Sequence, residues 1–157
     1  MPTMILQASA RPDGNTAAVA RHLERELDAL TLDLLEYRIH PFRYDQRYPA
    51  DDKFLHLIRH AVLPYDHLVF ATPVYWYTMS AGMKTFFDRL SDLLMTEKDL
   101  GRQLRGKRMS VLSVGERNDC PPHFAEPFRL TAGYLGMGFE AHWHGWLEEG
   151  LVHLVEK

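Results

Sequence analysis

The stretch H-L-V-F-A-T-P-V-Y-W-Y-T-M-S-A-G-M-K-T-F-F-D-R-L, residues 67–90, decides the fold. Its first six residues form an apolar run without alternation, the pattern of a strand buried on both faces. Pro73 closes that strand. After Ser80, Met83, Phe87, Leu90 and Leu94 recur at helical spacing. A strand buried on both sides that turns through a loop into a helix is the repeating unit of a parallel sheet.

The same alternation extends in both directions. Upstream, residues 4–8 (M-I-L-Q-A) read as a strand that breaks at R-P-D-G-N. A helix follows from Thr16, with Val19, Leu23, Leu27 and Leu30 on one face and charges on the others. Residues 31–37 suit a second, less buried strand, 40–52 an extended connection rich in Pro, Asp and aromatics, and 54–62 a short helix. Downstream, 108–114 (R-M-S-V-L-S-V) is a fourth strand, a helix broken by Pro127, Gly133 and Gly136 comes next, and 139–147 is a fifth strand. Strands alternating with helices predict right-handed crossovers and a doubly wound, three-layer α/β fold. No repeat, low-complexity tract or linker interrupts residues 1–157, so one domain is expected.

Composition narrows the class. The chain has 157 residues, 46% of them hydrophobic and 25% charged, and its 18 aromatics (eight Phe, seven Tyr, three Trp) exclude disorder. Cys120 is the only cysteine, which excludes a disulfide framework and a cysteine-ligated iron–sulfur cluster within one chain. No apolar run reaches the ~18–20 residues of a membrane span, and the start lacks a charged secretory region, so a reduced cytoplasmic setting and no membrane partner are expected. The net charge of −3 comes without a basic stripe, which argues against nucleic acid.

In doubly wound sheets ligands sit beyond the carboxyl ends of the strands, which singles out three loops: 9–16, 73–80 and 113–124. The first, S-A-R-P-D-G-N-T, opens a helix. Gly14 reaches backbone angles that other residues avoid, Asn15 and Thr16 are capping types, and Ser9 and Arg11 add a hydroxyl and a charge suited to an anion. Their convergence favours a bound phosphate over a plain capped turn. Neither a Walker-type G-x-x-x-x-G-K-[ST] nor a G-x-G-x-x-G after the first strand is present. The second loop sets Tyr75, Trp76 and Tyr77 directly after the central strand, where a flat ring could lie against them. Elsewhere, His142 and His144 lie two apart on one strand face and lack a third ligand at metal spacing. His56 and His60 mark a helix surface, and Cys120 reads as an ordinary loop cysteine.

The pair S-x-R-x-x-G-N-T and T-P-V-Y-W-Y-T-M-S-A-G-M-K-T-F-F-D-R resembles the flavodoxin-like NAD(P)H-dependent FMN reductase and quinone reductase family. The resemblance implies a five-stranded parallel sheet of order 2-1-3-4-5, non-covalent FMN, NAD(P)H as co-substrate and a homodimer. It also implies that Ser9, Arg11, Asn15 and Thr16 contact the FMN phosphate. Pro73, Val74, Tyr75 and Trp76 would flank the isoalloxazine ring, with Gly115 from the third loop. Tyr77 and His123 would lie near the substrate, a small-molecule electron acceptor such as a quinone, flavin, nitro or azo compound. Such a protein carries hydride chemistry on its cofactor, so no catalytic side-chain acid is expected. A flavodoxin-type electron carrier and a non-enzymatic module are the alternatives. Two features depart from the family pattern. In the third loop, S-V-G-E-R-N-D-C-P-P-H-F, Glu116 would oppose an anionic reduced flavin. The tail L-E-E-G-L-V-H-L-V-E-K gives at most one or two helical turns after the fifth strand, leaving Trp143, Trp146, Leu151 and Leu154 to a second subunit.

Overall fold

The computed structural model describes residues 2–157. Strand β1 (Thr3–Gln7) is buried throughout and leads into α1 (Asn15–Leu27) and β2 (Leu30–Asp33). A 3-10 turn (Leu34–Glu36) and an irregular segment precede α2 (Phe54–Leu57), which continues as a π-helical turn (Ile58–Val62). Then come β3 (His67–Pro73), α3 (Ala81–Arg89), α4 (Asp92–Met95), α5 (Lys98–Arg102) and β4 (Arg108–Val114). The chain closes with α6 (Glu126–Tyr134), β5 (Gly138–Glu148) and β6 (Leu151–Glu156).

The sheet order is β2-β1-β3-β4-β5-β6. The first five strands run parallel, with Ile5 opposite Thr31 on one side and Val69 on the other. This is the flavodoxin-like order 2-1-3-4-5, with one correction: a sixth strand, antiparallel to β5, stands where the tail was expected to be helical at most. Glu149 and Gly150 both adopt left-handed angles (φ 50° and 78°), the geometry that joins two strands through a two-residue hairpin. Beyond that turn Val152 and Leu154, two apart in L-V-H-L-V, pack against the α1 cluster as residues on one face of a strand do.

The hairpin changes how the sheet is covered. On one face α1 is the packed helix, and Val19, Ala20 and Leu23 meet Ile5, Val69, Leu112 and Val114. Trp143, Leu147, Val152 and Leu154 complete that cluster, so Trp143 and Leu154 are occupied within the chain. Trp146 stacks on His153 (5.1 Å between ring centroids), and of the four residues offered to a second subunit only Leu151 is exposed. Gly145 lets β5 pass beneath α1, because an added methyl there would overlap Val19.

The opposite face carries the larger core, in which Met83 and Phe86 of α3, Phe54 of α2 and Phe128 of α6 pack on Leu6, Leu68, Phe70 and Val111. The helical spacing after Ser80 is confirmed, but Phe86 rather than Phe87 is fully buried, and Leu94 faces solvent because α3 ends at Arg89. Leu30 also leaves the expected helix face. Asp28 takes a left-handed angle (φ 50°), ends α1, and delivers Leu30 to β2.

Candidate cofactor and substrate site

The strand order reverses between β1 and β3, and the carboxyl ends of these two strands open the site. Ser80 ties them together: its hydroxyl donates to the Ala8 carbonyl (2.7 Å) and accepts from the Met83 amide as the N-cap of α3. Thr72 Oγ1 accepts from the Ser80 amide (2.9 Å), which fixes both ends of the second loop.

In the first loop, Gly14 is the N-cap residue of α1 and offers no side chain to the first-turn amides. These amides carry the positive end of the helix dipole, and no acidic residue sits among them. Arg11 folds across the glycine so closely that an added Cβ would lie 2.7 Å from its Nε. Arg11 has no carboxylate partner among the described residues. A helix start free of any cap, beside an unpaired guanidinium, is an anion cradle.

The second loop turns sharply. Tyr75 and Thr78 exchange backbone hydrogen bonds (2.9 and 3.1 Å), and the two residues between them, Trp76 and Tyr77, hold φ of 48° and 70°. Left-handed angles at bulky aromatics cost on the order of 1–3 kcal/mol each. Trp76 is 91% exposed and Tyr77 76% exposed, and both line the groove beside the site.

The third loop leaves β4 with the Gly115 amide on the Gly145 carbonyl (3.0 Å). Beneath it lies a buried polar cluster. Ser113 Oγ is 2.8 Å from both His142 Nε2 and His144 Nδ1, and His144 Nε2 is 2.7 Å from the Arg117 carbonyl oxygen. A carbonyl only accepts, so His144 donates through Nε2 and receives the Ser113 hydroxyl proton at Nδ1, and Ser113 in turn accepts from His142 Nε2–H. Burial depresses both imidazoles, with the neighbouring His144, Lys157 and Arg129 helping to bring His142 down to about 4. Cys120 Sγ approaches Ser113 Oγ (3.4 Å), and burial pushes the thiol up. The pair is therefore neutral, and Cys120 is not an activated thiolate.

Two hollows meet here. A cleft of about 380 Å³ is lined by Ser9, Arg11, Asn15, Thr16, Pro73, Val74, Tyr75 and Gly115. A larger groove of about 780 Å³ is lined by Trp76, Tyr77, Asp119 and Cys120. Val74 and Glu116 line both. Residues 1–137 match the family model of NADPH-dependent FMN reductases.

The chain belongs to this family. A Bacillus subtilis (strain 168) protein, YwqN, provisionally described as an NAD(P)H-dependent FMN-containing oxidoreductase, is 32% identical over 154 residues, spanning 90% of this chain and 83% of the relative. The structure of a Trp repressor binding protein from Bacillus subtilis superposes with a TM-score of 0.72 at 26% identity, covering 94% of this chain and 89% of that one. An FMN-dependent NADH-azoreductase from Bacillus anthracis, solved with FMN, shares the fold (TM-score 0.60, 10% identity, 88% and 84% covered).

The reductase is an oxidoreductase that uses FMN and NAD(P)H. Its residues fit the cofactor: uncapped amides and Arg11 suit a phosphate, and a broad cleft between the second and third loops suits a flat ring. The structure brings together Ser9, Arg11, Asn15, Thr16, Pro73, Val74, Tyr75 and Gly115 in one cleft, and Trp76 and Tyr77 in the adjoining groove. It does not bring His123 to either, since that side chain is exposed in the turn before α6. The cluster of Ser113, His142 and His144 escapes sequence reading. The two histidines do share a strand face as expected, but their common partner, Ser113, lies 29 and 31 residues away. Among the described residues no set of three His, Cys, Asp or Glu side chains is arranged to hold a metal.

Proposed function

We propose that the reductase, one domain over residues 1–157, passes electrons from NAD(P)H to a flat small-molecule acceptor of the quinone, flavin, nitro or azo class. The observation that carries this reading is the convergence of three loops on a single cleft whose phosphate end is uncapped and holds an unpaired arginine. Ser9, Arg11, Asn15 and Thr16 bind the FMN phosphate, and Thr16, buried at the first turn, sets the depth of that end. Pro73, Val74 and Tyr75 flank the ring from one side and Gly115 from the other, and Trp76 borders the adjoining groove. Bound FMN supplies the hydride chemistry. The chain's own residues position the ring and its partner. Tyr77 borders the groove from which the acceptor is reached.

The test is an anaerobic absorption spectrum of the protein reconstituted with FMN and desalted, before and after NADPH or NADH. Retained colour that bleaches promptly is the expected result. Colour that persists would return the electron-carrier reading, and no retained flavin would overturn the phosphate loop. Arg11→Ala removes a charge-assisted contact and should weaken FMN by about 10- to 100-fold, from roughly 1.5–3 kcal/mol per such hydrogen bond.

A homodimer in a reducing, cytoplasmic setting belongs to the same proposal. Leu94 and Tyr134 are exposed beside one surface hollow, and no helix among the described residues is long and apolar enough to cross a membrane. Light scattering should give twice the mass of the 157-residue chain, and a monomeric mass would remove the dimer from the proposal.

A further inference from the structure

From the composition of the groove beside the FMN cleft we infer that the reductase prefers flat cationic ring systems as acceptors, with Glu116 and Asp119 as the specificity-determining residues. This rests on the reading that the groove is where the acceptor enters. Its lining is aromatic where the second loop supplies the exposed Trp76 and Tyr77, and acidic where the third loop supplies Glu116 and Asp119. No lysine or arginine lines it among the described residues. Glu116 has no ion-pair partner there, and Asp119 has only a long contact to Arg117 (3.8 Å) between two largely exposed side chains. Neither Lys157 nor Arg11 forms an ion pair with these two carboxylates. Lys157 binds the carbonyl and side-chain oxygen of Asn118, and Arg11 lies at the phosphate end of the adjoining cleft.

A groove lined by both an indole and carboxylates attracts a delocalised cation twice, through the ring quadrupole and through charge. An anionic acceptor meets the same carboxylates as a repulsion, so the groove discriminates in both directions. Charge also favours turnover. A pyridinium-, phenazinium- or phenothiazinium-type ring that accepts a hydride, two electrons and one proton, becomes a neutral dihydro ring, while NAD(P)H becomes NAD(P)⁺. The net exchange takes up no further proton. The product loses the charge that held it and leaves. Glu116, which opposes an anionic reduced flavin, thereby serves the second partner of the reaction.

The experiment compares methylene blue, a cationic ring, with a naphthoquinone sulfonate, an anionic one, at fixed ionic strength. Equilibrium dialysis against the oxidised, FMN-loaded protein without NAD(P)H reads binding alone. The cation should bind about tenfold tighter than the sulfonate, a ratio in the range of cation–π and single-charge effects. The double variant Glu116→Gln, Asp119→Asn should bring the two within about threefold of each other as the charge contribution disappears. The kcat/KM ratio of the two acceptors at saturating NADPH should fall by the same factor, and Asp119→Asn alone should give a smaller change than Glu116→Gln alone. Equal dissociation constants in the unaltered protein, or a ratio unmoved in the double variant, would overturn the inference. Flavin that NADPH does not bleach would instead overturn the proposed reaction, with the dialysis result still standing.

Discussion

Arg89→Ala should lower the unfolding free energy by about 3–5 kcal/mol, the range for removing one member of a buried ionic group. Arg89 is 1% exposed, at the end of α3. Its guanidinium donates to Asp52 through two nitrogens (2.6 and 3.0 Å), to Asp92 through Nε (2.8 Å) and to the His40 carbonyl (2.9 Å). The rings of Tyr48 and Phe54 lie 3.5 and 4.7 Å from its central carbon. Burial alone would favour the neutral guanidine, yet the two carboxylates outweigh it and raise the Arg89 pKa, and Asp52 is held below its usual range despite its own burial. Without Arg89, two carboxylates remain in a pocket with only backbone amides and the Tyr48 hydroxyl to satisfy them. Lysine cannot replace the planar fork, so Arg89→Lys should recover little. Urea denaturation measures the loss. The triple variant Arg89→Met, Asp52→Asn, Asp92→Asn should be more stable than Arg89→Ala, since no charge is then left unpaired. A loss under about 1 kcal/mol for Arg89→Ala would show that the segment 40–52 is held by its apolar contacts instead.

Acidification from pH 7 towards pH 4 should cost about as much. Histidine in an unfolded chain titrates near 6.5, whereas burial brings His142 down to about 4 and also lowers His67 and His144. Between those values the unfolded chain binds protons that the folded one refuses, so the unfolding free energy falls as pH falls. The contribution is fully present above the unfolded pKa and is lost towards the folded one. His142 alone accounts for about 3 kcal/mol at 1.36 kcal/mol per pH unit. The check is a series of urea midpoints between pH 4 and pH 8, flat at the alkaline end and falling steadily below about 6.5. His142→Gln, which still carries a side-chain amide toward Ser113, should flatten the slope. An unchanged slope would place the acid sensitivity elsewhere.

Local pattern carried most of the fold. R-M-S-V-L-S-V reads as a strand over 108–114, and β4 occupies those residues. Glycine and arginine marked the first loop because anion binding at a helix start is a property of consecutive residues, whereas Asn15 and Thr16, expected as caps, lie inside α1 and Gly14 takes the N-cap position. The misses share a cause. Leu30 fits the helical period of α1, and only the left-handed angle at Asp28 removes it from the helix. The strand β6 hides in L-V-H-L-V because a short, mostly apolar run acquires its identity from the neighbour it pairs with, here β5. Arg89 meets Asp52 and His40 across 37 and 49 residues, and Ser113 meets its histidines across 29 and 31. The first pairing exists only once the 40–52 segment has folded back over the end of α3, and the second only once β4 and β5 lie side by side.

The turn at Trp76 and Tyr77 has a bearing on how the enzyme can be improved. Asparagine and glycine occupy left-handed turn positions at little cost, so a library selected for heat resistance would replace these two aromatics. The same library selected for turnover would keep them if, as proposed, they form the wall that a flat acceptor meets. Robustness and catalysis therefore compete at two adjacent codons, and residues 76 and 77 are the ones to hold fixed while the rest of the chain is hardened.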